Sequence, residues 1–426
     1  MVLDKLDTRG WKGVLFGGGR ELEFPIRRGG GVVTGAGIVE RFDFVVVGAG
    51  IAGAATAYHL KRAGAGRVLL LDRGGPASGG TGKSAAIMRQ SYSTTLLVRL
   101  AKDSIVMLRD AERELGRHGG LAQVGYTILY SADMLEEARK NFAMQKSLGV
   151  VNEWRDGYGF PELLPETDPD GIAAMVHEPA GGYADPVQAT EAYVHAFERE
   201  GGEFRPRTPA RRLLGDAKRV TGVELDNGEV AAGVVVNAAG PWARPLAESA
   251  GLDLPMRSVR EQDTVWQIAP GRPIPKTSIS NGVDAIYLRP TGERRYVIGR
   301  GFPKEYFDVD PYNYKPTADA DFVADVQARA ERRFPAFAGM RLLEAYAALY
   351  DVTPDWYPFV GPRAGVAGYA DFSGGSGHGF KIAPAIGREL AAWLFIGRVA
   401  DDFRQLSHDR IVDGRLFVQA FGGNRG

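Results

Sequence analysis

The sequence predicts an α/β protein, α+β overall, in which a Rossmann-like unit is combined with an antiparallel sheet. The first observation is a strand-helix-strand pattern over residues 44–71, and the second is a glycine motif where its first strand meets its helix. The third is a β-rich stretch at residues 255–350 that contains one helical pattern. A chain of 426 residues is long enough for two or three units of this kind.

Composition narrows the class of protein. Hydrophobic residues make up 44% and charged residues 24%, as in globular proteins, while the 57 glycines are about twice the average share. The 52 basic and 52 acidic side chains cancel, so we expect no nucleic-acid partner. With no cysteine the chain has no disulfide scaffold and no thiolate metal site, and we expect no metal.

The sequence shows neither a membrane-helix pattern nor a signal-peptide pattern. No apolar run approaches the ~18 residues of a membrane helix, and residues 1–40 lack the pattern of a signal peptide. We therefore expect a cytoplasmic protein without a membrane span.

The first elements form the strand-helix-strand unit. Residues 44–47 and 68–71 are short apolar runs typical of buried strands, and residues 52–63 form a helix rich in small side chains. Residues 1–40 are punctuated by glycine clusters and show no helical period, so we expect an irregular N-terminal extension there.

The later elements follow from periodicity and from breaker residues. Helices are predicted at residues 95–115, 133–148, 189–201, 318–334 and 384–395, and strands at residues 219–225, 234–239 and 366–371. Residues 161–179 are rich in proline and are predicted to form a loop.

The glycine motif at residues 48–53 predicts a dinucleotide site. Gly48 allows the tight turn, Gly50 allows a pyrophosphate to approach the backbone, and Gly53 lets the helix pack closely on the strand. Asp72 ends the second strand 19 residues after Gly53, where a ribose hydroxyl partner is expected. An acid at this position disfavours a 2′-phosphate, so NADP is not expected.

Two other glycine-rich stretches are weaker candidates. Residues 35–37 repeat the start of the motif, but Glu40 stands where a third glycine is needed and no helix pattern follows. Residues 77–84 satisfy a permissive P-loop pattern, yet no strand leads directly into them. An NTPase is thus a disfavoured alternative, and we interpret residues 77–84 as the loop after the second strand.

Several motifs occur together in one order along the chain. They are the nucleotide-binding start at residues 46–53 with residues 70–73, then residues 84–90, 182–186, 234–242, 350–361 and 377–381. Together they resemble the D-amino-acid-oxidase-like superfamily of FAD-dependent oxidoreductases, in its sarcosine oxidase, dimethylglycine dehydrogenase and dye-linked L-proline dehydrogenase branch. The resemblance covers roughly residues 41–410.

The resemblance implies a Rossmann-like FAD-binding domain with an interleaved antiparallel-sheet substrate domain. The FAD-binding segments would be residues 41–130, 181–255 and 346–426, and the substrate segments residues 131–180 and 256–345. The FAD contacts that it implies are Gly48, Gly50, Ile51, Ala52, Gly53, Asp72, Arg73, Lys83, Ser84, Ala85, Ala210, Ala238, Ala239, Gly240, Trp242, Gly377, His378, Gly379, Phe380 and Lys381.

The resemblance also implies the catalytic candidates, which are Arg89, Lys381, Tyr350 and His378. Arg89 and Lys381 match the carboxylate-binding positions of the sarcosine oxidase branch, and a guanidinium suits a carboxylate because it binds in a bidentate fork. Tyr350 stands where glycine and D-amino-acid oxidases carry an arginine, which favours secondary amines as substrates. Backbone N–H groups of the loop around His378 would face the charge of a reduced flavin.

Departures from the branch are equally informative. Ala348 stands where monomeric sarcosine oxidases carry the cysteine that holds FAD, and Lys83 stands where dimethylglycine dehydrogenases carry a histidine. We therefore expect non-covalent FAD. The oxygen-activating lysine of the oxidases has no counterpart beyond a loose match at Lys276, which favours a dehydrogenase.

The predicted function is the FAD-dependent oxidation of the C–N bond of a secondary amino acid, with L-proline as the first candidate and sarcosine or another N-methyl amino acid as the second. An oxygen-using oxidase is one alternative, and a non-catalytic FAD-binding assembly factor or subunit is another. The electron acceptor (a carrier, a dye or O2) and the homo- or hetero-oligomeric state are open at this point.

Overall fold

Two large sheets organise the protein. The computed structural model describes residues 32–34, 37–418 and 421, which belong to one structural unit spanning residues 31–426. These residues form sheets of nine, eight and three strands, and the nine-stranded and eight-stranded sheets supply most of the core.

The nine-stranded sheet contains the predicted strand-helix-strand unit. Its main path runs through Glu203–Arg205, Val68–Leu71, Gly37–Val47, Gly228–Asn237, Arg219–Leu225 and Arg212–Asp216, with Val32–Thr34, Tyr369–Ser373 and Phe359–Pro362 paired at its side. Val47 is in parallel register with both Leu71 and Asn237. The carboxyl ends of three strands therefore meet at one edge of the sheet.

Helices cover this sheet because its strands are apolar on both faces, as parallel strands usually are. All four residues of Val68–Leu71 are buried. Helix Ile51–Arg62 packs on one face together with helices Pro186–Arg199 and Ala383–Ala391. A Cβ atom at Gly387 would lie 2.9 Å from Ala55 in helix Ile51–Arg62, so glycine permits this close helix contact.

The eight-stranded sheet is mostly antiparallel. Its strands run in the order Arg341–Val352, Arg257–Gln267, Arg295–Arg300, Ile286–Pro290, Ser278–Asn281, Tyr126–Tyr130, Ala174–Glu178 and Glu153–Asp156. Trp266 and helix Ala320–Arg333 contribute to a core on one face. Because side chains alternate along a strand, Glu261 and Asp263 point to the opposite face from Thr264 and Trp266.

The remaining elements connect the two sheets. The three-stranded sheet consists of Ile87–Met88, Gly182–Ala184 and Leu121–Ala122. The other α-helices of the described chain are Thr95–Arg109, Ala111–Leu115, Leu135–Ser147, Ala243–Glu248, Asp401–Arg404 and Asp409–Val412, and a π-helical segment spans Ala392–Ile396. Within the described residues, no helix is both long enough and apolar enough to span a membrane.

The structure confirms the predicted fold class and shifts several boundaries. The helix predicted at residues 189–201 is Pro186–Arg199, because Asp185 accepts hydrogen bonds from the backbone N–H groups of Val187 (2.9 Å) and Gln188 (3.0 Å) and Pro186 occupies the first helical position. The single helix predicted at residues 95–115 is two helices that meet at Asp110.

Two sequence-based expectations are wrong. The loop predicted at residues 161–179 contains strand Ala174–Glu178, which is paired on both sides and is set by its neighbours rather than by local proline content. Residues 32–34 and 37–40 of the predicted irregular extension are strand, because residues 32–34 pair with residues 37–39 and Glu40 pairs with Val230. Residues 1–31 and 35–36 lie outside the described residues, and the predicted domain boundaries stay a prediction.

A buried ion pair fastens the C-terminal part of the chain to the loop after strand Arg341–Val352. Arg410 Nε donates to Asp355 Oδ2 at 2.7 Å, and a second guanidinium nitrogen donates to Oδ1 at 2.9 Å. The same guanidinium donates to the carbonyl oxygens of Leu406 (2.7 Å) and Tyr357 (2.6 Å). Both side chains are about 1% exposed, so neither charge has water as an alternative partner.

We predict that Arg410→Ala lowers the free energy of unfolding by about 3–5 kcal/mol, because the carboxylate of Asp355 would stay buried without its main partner. Urea denaturation of the purified protein measures this change. The matched control is Arg415→Ala, which removes an exposed pair with Asp413 and should cost less than about 1 kcal/mol. Equal unfolding midpoints for the two variants would contradict the prediction.

Candidate active site

A cavity of about 990 Å³ is lined by residues from both large sheets. Its volume lies at the upper end of the roughly 300–1,000 Å³ typical of small-molecule sites. The nine-stranded sheet contributes the edge where Val47, Leu71 and Ala238 lie, and the eight-stranded sheet contributes one face. This edge is the place where open α/β sheets bind ligands.

The glycine motif forms a tight cradle at this edge. Gly48 has a φ of +107°, and a Cβ atom there would lie 2.4 Å from the carbonyl oxygen of Ala238. A Cβ atom at Gly53 would lie 1.8 Å from the carbonyl oxygen of Gly48. Gly53 is not part of the cavity wall, so its role is the helix–strand packing expected of a third glycine.

Helix Ile51–Arg62 begins on the cavity wall with an N-terminus that suits an anion. The helix has no side-chain cap and no acidic residue in its first turn. Thr81 supplies one nearby acceptor, since the Ile51 N–H donates to its hydroxyl at 3.3 Å. Because no carboxylate caps this end of the helix, its positive potential is available to a pyrophosphate. The backbone and side chains here therefore fit the dinucleotide that the motif predicts.

Asp72 and Arg73 extend the wall beyond the second strand. The Asp72 carboxylate accepts hydrogen bonds from the backbone N–H groups of Ala49 (2.7 Å) and Gly74 (2.6 Å). It therefore ties the glycine motif to the following loop and also lines the cavity where a ribose was predicted. The Arg73 guanidinium stacks 3.5 Å above the ring of Trp242, which forms a flat cationic surface on the wall.

The glycine-rich turn at residues 374–379 forms another part of the cavity wall. Asp351 Oδ2 accepts hydrogen bonds from the backbone N–H groups of Gly374 (2.8 Å) and Gly375 (3.0 Å), and burial raises the pKa of this carboxyl group. A Cβ atom at Gly377 would lie 2.4 Å from the ring of Tyr350. Glycine at this position therefore lets Tyr350 pack directly on the turn.

His378 turns its ring away from the cavity. Its Nε2 lies 2.7 Å from the carbonyl oxygen of Trp356, and its Nδ1 lies 3.4 Å from the hydroxyl of Tyr92. Burial lowers the pKa of His378 to about 3, so the ring is neutral, with Nε2 donating to the carbonyl and Nδ1 accepting from Tyr92. The predicted catalytic role of His378 stays a prediction, and these contacts give the ring a structural role.

Two cationic side chains face the cavity together. Arg89 is 6% exposed, stacks 4.1 Å from the ring of Tyr92 and donates a hydrogen bond to the carbonyl of Ser91. Lys381 is 8% exposed, and within the described chain its ammonium has no hydrogen-bond acceptor. Burial, together with the charge of Arg89, holds the pKa of Lys381 well below its usual range. An anionic ligand would relieve the cost of this arrangement.

Glu178 holds the Arg89 segment in place and was not singled out from the sequence. Its Oε1 accepts hydrogen bonds from the backbone N–H of Gln90 at 2.7 Å and from the side-chain amide of Gln90 at 3.1 Å. Its Oε2 accepts from the Ser91 hydroxyl at 2.7 Å. Burial raises the pKa of Glu178, and the charge of Arg89 opposes that effect.

The eight-stranded sheet places two acids on the cavity wall that the sequence analysis also missed. Glu261 forms an ion pair with Lys304. Asp263 accepts a hydrogen bond from the Tyr287 hydroxyl at 2.7 Å, and burial raises the pKa of Asp263 to about 7. Acidic residues two positions apart in a strand share a face, which is the sequence signal that could have identified them.

The remaining predicted FAD contacts also lie on the cavity wall, and so does Ala348. These contacts are Gly50, Ile51, Ala52, Lys83, Ser84, Ala85, Ala210, Ala239, Gly240, Gly379 and Phe380. Lys83 is engaged by the Tyr314 hydroxyl at 3.0 Å and the Ala347 carbonyl at 3.3 Å. Lys276 is exposed and is not part of the wall.

Comparison with known proteins gives one family match and many relatives. The family model described as FAD dependent oxidoreductase matches residues 43–393. Among curated proteins, 4-methylaminobutanoate oxidase (formaldehyde-forming) of Paenarthrobacter nicotinovorans is 27% identical over 359 residues, covering 83% of this chain. The chain spans 43% of the length of that relative.

Two further relatives match over most of their own length. Sarcosine oxidase subunit beta of Arthrobacter sp is 26% identical, with 82% of this chain and 86% of the relative covered. The crystal structure of L-proline dehydrogenase from P. horikoshii is 26% identical and has a TM-score of 0.81, with 89% of this chain and 100% of that chain covered.

We predict that Gly48→Ala weakens flavin binding at least tenfold, because a Cβ atom there would clash with the Ala238 backbone and needs a strained φ. The flavin-to-protein absorbance ratio after dialysis, together with titration of FAD into the stripped protein, measures the loss. Gly75→Ala is the matched control in the neighbouring loop, because a Cβ atom at Gly75 has no neighbour within 4 Å. Normal flavin content in Gly48→Ala would contradict the assigned cradle.

Proposed function

Because this chain belongs to the family of FAD-dependent oxidoreductases, its cofactor is FAD, and we propose that it oxidises the C–N bond of a small secondary amino acid. The family match confirms the resemblance inferred from the motifs. L-Proline is the first candidate substrate, and sarcosine or another N-methyl amino acid is the second. Bound FAD supplies an acceptor, its N5 atom, for a hydride from the carbon next to nitrogen.

The observation that carries this proposal is the pair of Arg89 and Lys381 on one cavity wall. A guanidinium binds a carboxylate through two parallel hydrogen bonds, and an adjacent ammonium adds a third donor. Lys381 has no acceptor in the described part of the chain, which leaves its ammonium for a ligand. An amino-acid carboxylate provides the negative charge that this wall needs.

The relatives support a substrate that has both a carboxylate and a secondary amine. The names of the three proteins compared above refer to 4-methylaminobutanoate, sarcosine and L-proline, and each of these compounds has both groups. Tyr350 in this chain contributes a neutral ring to the wall, because burial keeps the pKa of its hydroxyl well above the usual value. The site then offers one pair of cationic side chains, Arg89 and Lys381, to one carboxylate.

The chain would hold FAD without a covalent bond. Gly48, Gly50 and the N-terminus of helix Ile51–Arg62 would receive the pyrophosphate. Ala348 has no nucleophilic atom, and Lys83 donates its hydrogen bonds to Tyr314 and Ala347. These contacts support the non-covalent binding proposed from the sequence.

We further propose a dehydrogenase rather than an oxygen-using oxidase. The lysine considered for oxygen activation, Lys276, is exposed and does not line the cavity. Lys304 is partly buried beside the cavity-lining Glu261, but it is paired with that residue. An external carrier would then reoxidise the flavin, and association with a further subunit fits the name of the sarcosine oxidase subunit beta relative.

We predict that anaerobic L-proline or sarcosine bleaches the flavin absorbance of the purified protein. An artificial electron-accepting dye should restore the colour faster than dissolved oxygen does, because Lys276, the lysine considered for oxygen activation, does not line the cavity. Stopped-flow absorbance measures both reactions.

Glycine, which is a primary amine, is the control substrate for this experiment. A yellow protein that neither secondary amine reduces would contradict the proposed reaction and favour a non-catalytic FAD-binding subunit. Reoxidation by oxygen as fast as by the dye would contradict only the dehydrogenase assignment.

We predict that Arg89→Ala raises the KM for the amino acid by roughly 10- to 150-fold, because removal of a charged hydrogen-bond donor costs about 1.5–3 kcal/mol. The flavin content should not change, since the predicted FAD contacts lie elsewhere on the wall. Steady-state kinetics with a dye acceptor measure the effect. Arg99→Ala, on the surface in a pair with Asp402, is the matched control and should behave like the wild type. An unchanged KM in Arg89→Ala would remove Arg89 from the substrate site.

A further inference from the structure

We infer that Asp263 binds the ammonium group of the amino-acid substrate and accepts its proton before oxidation. This inference rests on the proposed function, because it assumes an amino acid whose carboxylate is held by Arg89 and Lys381. It adds a proton acceptor to the residues proposed for the site.

Asp263 is held on the cavity wall by its neighbours in the eight-stranded sheet. Strand Arg257–Gln267 pairs with Arg295–Arg300, and Asp263 is in register with Gly299. A Cβ atom at Gly299 would lie 2.4 Å from Asp263 Oδ1 and 2.4 Å from the Tyr287 hydroxyl. The missing side chain of Gly299 therefore creates the space in which the carboxylate and the phenol meet.

The carboxylate is held at one oxygen and open at the other. Asp263 Oδ1 accepts the hydrogen bond from Tyr287 at 2.7 Å. Within the described residues, Oδ2 has no hydrogen-bond donor, although Asp263 is 6% exposed and lines the cavity. The open oxygen therefore faces a cavity in which a substrate ammonium can donate a charge-assisted hydrogen bond to it.

The other charged groups near Asp263 already have partners. The titratable groups that face it are Glu261, Tyr287, Arg289, Lys304, Tyr346 and Tyr350. Glu261 and Lys304 neutralise each other. Arg289 donates to the carbonyl oxygens of Ala85 (2.7 Å) and Pro290 (3.0 Å). Asp263 is thus the acid that is left for a ligand on this part of the wall.

Asp263 lines the same cavity as the two cationic side chains Arg89 and Lys381. Tyr287 and Tyr350 also line this cavity, and the Tyr287 hydroxyl donates to Asp263 at 2.7 Å. A molecule with a carboxylate and an ammonium matches the opposite charges that this cavity wall offers.

The proton transfer balances in charge. The substrate ammonium gives one proton to Asp263 Oδ2, which leaves a neutral amine and a neutral carboxylic acid. With FAD bound, the cofactor would supply the acceptor for a hydride from the carbon next to nitrogen, and the nitrogen lone pair, freed by the proton transfer to Asp263, would form the C=N bond of the iminium product. The raised pKa of Asp263, about 7, suits this exchange because an acceptor works best when its pKa is near the working pH.

The test variant is Asp263→Asn, which keeps the shape of the side chain and removes the proton acceptor. Anaerobic stopped-flow reduction is measured from pH 5.5 to 10, a range of about 4.5 pH values around the expected titration, with whichever of L-proline and sarcosine reduces the wild type. We expect the wild-type rate to rise with pH as Asp263 loses its proton. We expect the variant to be slower at pH 7 by about 100-fold or more and to gain rate only where the free amine is itself deprotonated.

A binding readout separates proton transfer from damage to the pocket. Tetrahydro-2-furoate and methoxyacetate resemble L-proline and sarcosine but have an ether oxygen in place of the ammonium. Their affinity, read from the change in flavin absorbance, should be equal in the wild type and Asp263→Asn. The surface variant Asp156→Asn is the matched control and should match the wild type in rate and in affinity.

Tyr287→Phe provides a second measurement. It removes the hydrogen bond that lowers the pKa of Asp263, so the rate should rise at higher pH than in the wild type while the plateau rate persists.

Wild-type rates and an unshifted pH profile in Asp263→Asn would overturn the inference and leave the proposed function intact. An equal loss of affinity for the two ether analogues would also overturn it, by showing that Asp263 only shapes the pocket. A wild-type flavin that neither amine reduces would overturn the proposed function itself, and the inference with it.

Discussion

The parallel register of three strands is the constraint on which the cofactor site depends. Val47 lies opposite both Leu71 and Asn237, so the residues that follow these strands emerge at one edge. Gly48, Asp72 and Ala238 meet there for this reason, and their backbones approach so closely that Gly48 has no room for a side chain. A slip of one residue in either pairing would separate these contacts and turn the buried side chains to the other face.

The second sheet contributes the chemistry that the first does not have. Arg89 and Lys381 belong to segments near the nucleotide edge, whereas Glu261 and Asp263 project from the eight-stranded sheet across the cavity. Charges of opposite sign thus come from different parts of the chain and meet at one cavity. Glu178 and Asp351 hold the loops of the cavity wall in place, since each accepts several hydrogen bonds from these loops.

The sequence was sufficient for the local parts of this site. Strand Val68–Leu71, the tight turn at Gly48 and the helix–strand packing at Gly53 depend on short-range patterns, and these predictions agree with the structure. The partners of Asp263 could not be predicted from the sequence, because Tyr287 and Gly299 come from neighbouring strands whose register a single sequence does not reveal. The direction of the His378 ring depends in the same way on Trp356 and Tyr92, which lie far from it along the chain.

Lys381 and Asp263 share a property that reaches beyond catalysis. Burial shifts the pKa of each so that the neutral form is favoured, and both side chains lie on the cavity wall, where a ligand can change their charge. A bound carboxylate would favour the protonated form of Lys381, and the site would then exchange protons with the solvent whenever a ligand enters or leaves. Ligand affinity is therefore coupled to the proton concentration, and the heat of binding carries a contribution from the ionisation of the buffer.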